Sequence, residues 1–538
     1  MKKALEVFGD RIPDVTVALL NREGAPTFRR NLEEQVIQVL TTNMLSNTFY
    51  VGQQQLTQET IEVLVAMRDK NPKFLAQAIV YARNEGFLQF VNMVALAILS
   101  TANDKRPFLN VFSRVVQTPD NLMEFVAICR SGKIRKGLGG VALQATKEWL
   151  NSLSEYHAVK YSGDSDGISL RDVLRMAHPK PKDKTQEERF AWLVKGWDEI
   201  GNDPSPSNPR IWHLERIKRN EDSEIVLKSI NEGGLPWEAV VPSVKKMTTT
   251  TWEALMWQMP YTALMRHLNA LSRAGVLAKP ENVEYVANRL SDSKAVAQAK
   301  ILPFRFFTAW KAYSKDPAHL REIADALETA LEGSFVNMPE IPGVLAIGPD
   351  VSGSMISARV LTRPPRPDDK EDRDGTCAIE ICGIFTAALM RKATGRLIVL
   401  PFEGHVRTDI RVDRSDRMLK TVETFSNING RSTAVGAPIR FLYDRKIVVD
   451  TFVGITDNVE WDTSESGSFV EEWRRYKATV APKAKAFLLT VASYRDAVAG
   501  QNEPAVHFVY GWSPDVVRYI SATLSGKTQL QAVQAVGI

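Results

Sequence analysis

The spacing of hydrophobic residues predicts two structural regimes along the chain. Over roughly the first three-fifths, apolar residues recur every three or four positions, which is typical of amphipathic helices. Beyond Pro339 and Pro342, short apolar runs alternate with helical patterns, as expected for parallel strands joined by helices. We therefore predict a domain of helical repeats over 1–338 and a doubly wound parallel-sheet domain over 339–538.

The helical domain divides into short segments separated by turn-forming residues. Three apolar stripes mark early helices: Leu32, Val36, Val39 and Leu40; Phe74, Leu75, Ala78, Ile79 and Ala82; Phe87, Leu88, Val91, Val94, Ala95 and Ile98. Breaks are predicted at Asn71-Pro72, Gly86, Arg106-Pro107 and Thr118-Pro119. Because no fixed period is present, the pattern indicates an irregular array of helical hairpins with helices of about 12 to 16 residues. Two later helices are predicted over 252–271, continuing through Pro260, and over 303–313.

The second domain shows strand and helix patterns in alternation. Strands are predicted near Leu345, Ile398, Val449, Phe487 and Phe508, and helices over 379–392, 435–443, 469–476 and 515–522. This order implies a parallel doubly wound sheet of about 200 residues. The polar, proline-rich stretch 357–375 is longer than an ordinary connection. It is interpreted either as a flap over the end of the first strand or as a disordered excursion.

Composition narrows the class of protein. The 538 residues are 44% hydrophobic and 24% charged, as in globular proteins of two or three domains. No apolar run approaches the roughly 20 residues of a membrane span, and Glu6 and Asp10 interrupt any signal peptide after Lys2 and Lys3. The three cysteines lack zinc-site spacing and are expected as reduced thiols. We therefore expect a cytoplasmic protein with no membrane partner.

The stretch 344–355 carries the first candidate chemistry. A short apolar strand runs into a tight turn with Asp350, Ser352 and Ser354 at alternate positions. One carboxylate and two hydroxyls are the oxygen ligands that hard divalent cations such as Mg²⁺ prefer. The same side chains could instead cap the following helix, and the triplet alone leaves both interpretations open.

Two later loops favour the metal interpretation. The apolar stretch 447–455 leads into Thr456, Asp457 and Asn458, and an earlier loop places Thr433 before another helix. Open parallel sheets bind their ligands at the carboxyl ends of strands, where these loops belong. Here the chain resembles a von Willebrand factor A domain with a metal-ion-dependent adhesion site, which binds a divalent metal cation, here expected to be Mg²⁺. The resemblance implies the metal ligands Asp350, Ser352, Ser354, Thr433 and Asp457.

Basic residues concentrate in one part of the helical domain. The segment 129–184 has eleven Lys and Arg against six Asp and Glu, an excess equal to the +5 of the whole chain. Within it, Ser169 is expected to cap a short helix that places Arg171, Arg175 and His178 on one face, with Lys180 just beyond its end. A solvated surface and a nucleic-acid surface explain this row equally well.

A second basic cluster precedes a glycine-rich turn. It contains Arg130, Lys133, Arg135 and Lys136, and the helix after the turn could bind phosphate at its N-terminus. A Walker loop is excluded because no Gly-Lys-Ser/Thr follows the glycines. The residue chemistry therefore predicts either a phosphate-binding or a plain basic surface.

Four further stretches carry a second resemblance, which together with the first covers essentially the whole chain. SGKIRKGLGGVALQATKEWL, LRDVLRMAHPKPKD, MPYTALMRHLNALSRAGVL and ILPFRFFTAW are similar to the successive signatures of the TROVE module of the Ro autoantigen family. An A domain follows that module in this family, so the chain is identified as a bacterial member. The resemblance implies a ring of HEAT-like helical repeats closed by the A domain. It also implies Y RNA contacts by Lys133, Arg135, Lys136, Arg171, Arg175, His178 and Lys180.

The expected function is that of a noncatalytic, monomeric RNA-binding ring in RNA quality control. The resemblance implies that small Y-type RNA binds the outer surface, that ends of misfolded noncoding RNA enter the central hole, and that the particle is tethered to an exoribonuclease. One rival is a Mg²⁺-dependent phosphatase or nuclease at Asp350, which lacks a nearby second acidic residue and has only His405 near the strand ends. The other is a metal-dependent protein-adhesion module.

Overall fold

The computed structural model describes residues 19–20, 26–42, 53–85, 90–163, 167–197, 207–301, 303–336, 338–360, 376–457, 467–491, 496–499, 503, 505–510, 515–524 and 528–538. These residues form two compact units. The α/β unit contains the described residues up to 63, 338–360 and those within 376–532, and the helical unit contains those within 64–336 and 533–538. In the described part of the chain, no helix has the length and apolar character needed to cross a membrane.

Up to residue 336, the described residues are mostly helical. After the short strands β1 (Leu19–Leu20) and β2 (Pro26–Arg29) come the helices α1 Leu32–Thr42, α2 Gln53–Lys70, α3 Pro72–Asn84, α4 Phe90–Leu99, α5 Arg106–Val115, α6 Pro119–Arg130, α7 Val141–Leu150, α8 Glu155–Lys160, α9 Leu170–Ala177 and α10 Lys184–Lys195. They continue with α11 Pro209–Arg219, α12 Ser223–Gly233, α13 Trp237–Val240, α14 Thr249–Gln258, α15 Tyr261–Arg273, a 3₁₀ turn Val276–Ala278, α16 Pro280–Ser291, α17 Ser293–Ala299, α18 Pro303–Ser314 and α19 Arg321–Gly333.

The second part alternates between strands and helices. Its elements are β3 Leu345–Pro349, α20 Gly353–Ser357, β4 Arg359–Val360, β5 Thr376–Cys377, α21 Ala378–Lys392, β6 Leu397–Val399, α22 Met418–Ser426, α23 Ala437–Asp444, β7 Thr451–Thr456, α24 Phe469–Thr479, β8 Lys485–Thr490, β9 Asp496–Ala497, β10 Val506–Tyr510, α25 Asp515–Leu524 and α26 Gln529–Gln534. The predicted strands and helices of this region are therefore all present.

Proline and a capping side chain define several helix starts in the helical unit. Asn71 Oδ1 accepts a hydrogen bond of 3.0 Å from Phe74 N at the start of α3, and Thr118 caps α6 in the same way. Proline suits the first helical turn because its missing N–H would have no partner there. The predicted breaks at these positions are confirmed, whereas Gly86, Asn458 and most of the stretch 357–375 lie outside the described residues.

One predicted helix is wrong. The stretch 252–271 is not a continuous helix but the end of α14 and the start of α15. Met259 and Pro260 between them have extended backbones, with ψ of 130° and 154°. A proline clashes with a preceding helical residue and offers no N–H, so α14 ends before Pro260 and α15 begins after it.

The sheet of the α/β unit has the strand order β10-β8-β7-β3-β6, and every pair is parallel. Its central strands are buried on both faces, as parallel sheets require. Ala346 and Phe452 pack into one core with α23 and α24. The alternate residues of β3 and β7 point the other way, toward α21.

Two details of this unit differ from the sequence-based expectation. Strand β7 begins at Thr451 rather than near 447, because Val449 N donates to Tyr476 Oη, which itself donates to Ile447 O. These backbone groups bond to a side chain instead of to a neighbouring strand. Helix α22 was not predicted.

Helix α1, which opens the predicted helical array, lies in the α/β unit and contacts β10.

Candidate metal centre and nucleic-acid interface

The turn after β3 carries the candidate metal ligands. Asp350 N donates to Ile455 O at 2.9 Å, and Val351 N donates to Phe402 O at 2.9 Å, so β7 and the segment just after β6 fix the turn. Asp350, Ser352 and Ser354 are buried, with exposed fractions of 0, 0 and 3%. The sequence therefore places three oxygen-bearing side chains in a rigid, water-poor turn at the carboxyl edge of the sheet.

Hydrogen bonds orient the oxygens of this turn. Ser352 N donates to Asp350 Oδ1 at 2.9 Å, and the Ser352 and Ser354 hydroxyls lie 3.1 Å apart. Thr456 Oγ1, at the end of β7, donates to Asp350 Oδ2 at 2.7 Å. Burial raises the pKa of Asp350 to about 6, and these hydrogen bonds oppose the rise. Thr456, for which no separate role was predicted, thus positions the carboxylate.

The loop that carries Thr433 packs directly on the Asp350 turn. A Cβ on Gly430 would collide with the carbonyl oxygen of Val351, and one on Gly353 would lie 3.1 Å from Gly430 O. Only glycine permits this backbone-to-backbone approach at position 430. Thr433 itself is 1% exposed. The structure therefore brings the loop of Thr433 against the turn, as the sequence predicted for neighbouring strand ends.

Glu403 holds the same loop from the other side. Its Oε2 accepts from Arg431 N at 2.9 Å, its Oε1 accepts from Arg407 at 3.2 Å, and its carbonyl oxygen accepts from Ala434 N at 2.8 Å. This buried glutamate positions the residues on both sides of Thr433. Sequence reasoning missed it because Arg431, its partner in the loop of Thr433, lies 28 residues away and no motif marks the pair.

Asp457 completes the candidate set directly after β7. It is fully buried, and β7 pairs with β3 in a register that sets Ile455 opposite Pro349. In the described residues no three His, Cys, Asp or Glu side chains cluster into a metal site. The available donors are therefore carboxylate and hydroxyl oxygens around a buried Asp350. This donor set fits a hard divalent cation such as Mg²⁺, which would also balance the buried charge.

The basic helix forms as predicted. Ser169 Oγ accepts from Asp172 N at 3.2 Å, and Asp172 Oδ2 accepts from Ser169 N at 3.0 Å, which closes a capping box at the start of α9. Leu170, Val173, Leu174 and Ala177 are buried, while Arg171 and Arg175 are exposed. His178 ends the helix in the left-handed conformation with φ of 47° and is also exposed.

Both arginines of α9 lie against the end of α10. Arg171 Nε donates to Leu193 O at 3.2 Å, and Arg175 Nη2 donates to Val194 O at 3.1 Å. The last carbonyls of a helix lack partners within the helix and attract cations. These contacts use one of the five guanidinium N–H groups of each arginine. The two exposed side chains are thereby ordered while most of their donors still face outward.

The second basic cluster lies beside α9. Arg130 Nη1 lies 2.6 Å from Met176 Sδ, so the end of α6 contacts the basic helix. Lys133, Lys136 and Lys180 are exposed. Arg135 differs, because it donates to Ser100 Oγ at 2.8 Å and to Gly139 O at 2.7 Å and so holds the glycine-rich turn together. The structure therefore joins the two clusters through Arg130 into one exposed basic surface.

Comparison with known proteins identifies the family. The model of the TROVE domain matches residues 30–212 and 235–329, and that of the Ro60 vWA domain matches 345–523. A Caenorhabditis elegans relative, "RNA-binding protein RO60", is 23% identical over 78% of this chain and 72% of its own length. The Deinococcus radiodurans protein of the same name is 23% identical over 88% and 89%.

A solved structure shares the fold. The crystal structure of the Deinococcus radiodurans RO (RSR) protein matches with a TM-score of 0.67 and 20% identity, over 92% of this chain and all of that one. The predicted combination of helical repeats with a doubly wound parallel sheet is confirmed. The relatives bear the names of RNA-binding proteins and not of enzymes. Since the TROVE model alone matches more than half of its residues, the chain belongs to the Ro family, in which a TROVE domain is joined to a Ro60 vWA domain.

Proposed function

We propose that this protein binds RNA without catalysis and that small Y-type RNA binds the basic surface around α9. The observation that carries the proposal is the contact between Arg130 and Met176, which joins two basic clusters into one exposed surface. Such a surface attracts phosphates and releases their counterions, so the affinity should depend strongly on salt. The residues proposed to contact this RNA are Lys133, Arg135, Lys136, Arg171, Arg175, His178 and Lys180.

We also propose a second RNA site, which membership in the Ro family supports. We propose that the helical repeats close into a ring with the vWA domain and hold the single-stranded ends of misfolded noncoding RNA in a central hole. Phosphate contacts suit this role because they need little sequence specificity. The protein would then act in the cytoplasm, as a monomer, in RNA quality control. Y RNA would regulate access to the hole.

The vWA domain is proposed to recruit an exoribonuclease through a divalent cation, with Mg²⁺ the preferred ion. Asp350 would neutralise part of its charge, while the hydroxyls of Ser352, Ser354 and Thr433 and the carboxylate of Asp457 would complete the donor set. When bound, the cation supplies residual positive charge that attracts a carboxylate or phosphate of a partner. A site with these ligands recruits a partner and does not hydrolyse it. Recruitment of a protein through the bound cation is also what the metal-dependent protein-adhesion alternative requires of this site.

The test compares two arginines of the surface with two arginines elsewhere in the helical unit. The double variant Arg171→Ala with Arg175→Ala should bind structured small RNA several-fold more weakly in filter binding. The slope of log affinity against log salt concentration should become shallower by about two, since two phosphate contacts are lost. The control, Arg289→Ala with Arg321→Ala, removes the same charge from exposed positions on α16 and α19 and should change neither quantity.

Equal losses in the two double variants would show that general charge, not this surface, binds RNA. The same assay with EDTA separates the rival functions. RNA affinity that survives metal removal supports a metal-independent RNA surface, whereas RNA cleavage that stops with EDTA would instead establish the nuclease alternative.

A further inference from the structure

A cavity borders the outer edge of the sheet in the α/β unit. It has a volume of about 210 Å³ and lies between α1, the edge strand β10, α25 and α26. Its lining includes Glu34, Phe508, Tyr510, Tyr519 and Thr523. With roughly 30 Å³ for each water molecule in the liquid, this space corresponds to about seven waters and exceeds the need of a single bridging water. It is large enough for a small planar heterocycle.

The edge of β10 offers an unpaired peptide to this cavity. Ala486 N donates to Ala505 O at 2.8 Å, so the odd-numbered residues of β10 pair with β8 and the even-numbered ones face outward. Of the outward groups, Val506 N donates to Glu503 O at 3.2 Å. In the described part of the chain, the outward N–H and C=O of Phe508 have no hydrogen-bond partner.

The next outward peptide shows what kind of group fits this edge. The side-chain amide of Gln529 accepts from Tyr510 N at 3.1 Å and donates to Tyr510 O at 3.0 Å. A planar group with one acceptor and one donor side by side therefore completes the strand edge at Tyr510. The edges of nucleobases carry the same pairing, and amide groups match the N7 and amino group of adenine for that reason.

Two buried side-chain atoms beside the cavity also lack partners. Glu34 Oε2 and Tyr510 Oη are both buried, and among the described residues neither has a hydrogen-bond partner. Burial raises the pKa of Glu34 to about 7 and that of Tyr510 above its usual range, and the charge of Arg30 lowers both pKa values. Buried polar groups without partners destabilise a fold, so a ligand that supplies partners would be favoured.

The aromatic rings of the edge strand are held in place from one side. The guanidinium of Arg30 lies 5.1 Å from the ring centre of Phe508 and 5.2 Å from that of Tyr510. Cation–π contact of this kind orders the two rings. The cavity is thus preorganised, with a fixed strand edge and fixed polar atoms.

We propose that this cavity binds a purine base, whose adjacent acceptor and amino groups pair with the Phe508 peptide while a remaining N–H donates to Glu34. Tyr510 Oη would bind a further ring nitrogen or oxygen. A purine meets these requirements because it carries donors and acceptors around a planar ring. The base can come from a free nucleoside or from a residue of an RNA strand. The inference does not depend on the basic surface of the helical unit.

The experiment titrates the full chain with adenosine and with guanosine by ligand-observed NMR. Saturable binding is expected for the wild type. At a pH above the raised pKa of Glu34, Glu34→Gln should weaken it about tenfold, because a hydrogen bond to a charged acceptor is replaced by one to a neutral acceptor. Tyr510→Phe should weaken it several-fold and leave the Tm of the free protein unchanged or higher, because it removes a buried hydroxyl without a partner.

Tyr476 provides the matched control in the same unit. Its hydroxyl is buried but has two partners, since it donates to Ile447 O at 2.7 Å and accepts from Val449 N at 3.1 Å. Tyr476→Phe should therefore lower the Tm and leave nucleoside affinity unchanged. This contrast separates loss of a ligand contact from general damage to the domain.

Three results would overturn the proposal: no saturable binding by the folded wild type at millimolar nucleoside, equal affinity in Glu34→Gln and wild type, or a lower Tm for Tyr510→Phe. Competition by single-stranded oligoadenylate would assign the base to an RNA strand. Saturable nucleoside binding without such competition would assign it to a free nucleoside, and both outcomes support the purine site.

Discussion

At the carboxyl edge of the sheet, Asp350 and Thr433 have exposed fractions of 0 and 1%, whereas Arg171 and Arg175 on α9 stand in solvent. The turn that carries Asp350 is fixed by backbone contacts to β7, to the segment after β6 and to the loop of Gly430. The basic surface is held by side-chain hydrogen bonds, those of Arg171 and Arg175 to the end of α10 and that of Arg135 to the glycine-rich turn. The first site is therefore sensitive to backbone geometry, and the second to charge and salt.

The two sites also differ in what their side chains need before a ligand arrives. A buried carboxylate is unfavourable unless it is hydrogen-bonded or paired with a cation, and the pKa of Asp350 is raised to about 6 by that burial. An exposed arginine remains hydrated and needs no partner. Changes at the turn that carries Asp350 should therefore affect both folding and binding, while changes at exposed basic residues such as Lys136 should affect binding alone.

The largest expected effect is complete loss of metal binding when the turn that carries Asp350 is changed, while the basic surface is left intact. Asp350→Ala with Ser352→Ala removes the carboxylate and one hydroxyl of the turn and should abolish Mg²⁺ binding in calorimetric titration. RNA affinity in filter binding should stay within twofold, because the proposed RNA contacts belong to the helical unit.

A surface pair with the same spacing is the control. Asp413 Oδ1 accepts from Ser415 N at 2.8 Å, as Asp350 does from Ser352, but both residues are exposed. Asp413→Ala with Ser415→Ala should leave Mg²⁺ and RNA binding unchanged. If the Asp350 double variant lost RNA affinity in step with metal, the division between the two sites would be wrong.

An intermediate effect is expected from the backbone contact between the metal loops. Gly430→Ala places a Cβ against Val351 O and should lower the free energy of unfolding by about 1–3 kcal/mol in urea titration. Mg²⁺ affinity should fall although every oxygen ligand is still present. Gly333→Ala, where the added Cβ meets no atom within 4 Å, is the control and should not reduce Mg²⁺ affinity. Normal Mg²⁺ affinity in Gly430→Ala would show that the loop contact does not position the ligands.

The smallest expected effect distinguishes two residues within the basic surface, Arg135 and Lys136. Arg135 is hydrogen-bonded to Ser100 and Gly139, whereas Lys136 is exposed. Lys136→Ala should weaken small-RNA binding a few-fold without changing the Tm. Arg135→Ala should weaken binding similarly and also lower the Tm by a few degrees in thermal unfolding, because it removes the two hydrogen bonds that join buried Ser100 and the Gly139 carbonyl of the turn. Identical Tm values would mean that Arg135 acts only through its charge.

Local sequence patterns predicted which helices and strands are present more reliably than the residues at which they begin and end. Apolar periodicity and Asn71-Pro72 fixed the start of α3, and the capping box at Ser169 fixed that of α9, because neighbouring residues determine both. The start of β7 was misplaced, since Tyr476 competes for its first backbone groups across 27 residues. Such long-range hydrogen bonds leave no signal in a local pattern.

The candidate sites follow the same division. The alternating oxygens of the metal turn could be read directly, because a strand-end motif is local in sequence. The roles of Thr456 and Glu403 could not, since Thr456 lies 106 residues from the carboxylate it contacts and Glu403 lies 28 residues from Arg431. The assignment of metal and RNA ligands itself remains a prediction from resemblance.

The packing of α1 against β10 also has a consequence for biosynthesis. Val36, Ile37 and Leu40 are buried in a unit whose edge strand leaves the ribosome roughly 460 residues later. At about 5–20 residues per second, the apolar face of α1 waits on the order of 20 to 90 s for that strand. Nascent chains should therefore depend on chaperones that shield this helix until translation of the last strand is complete.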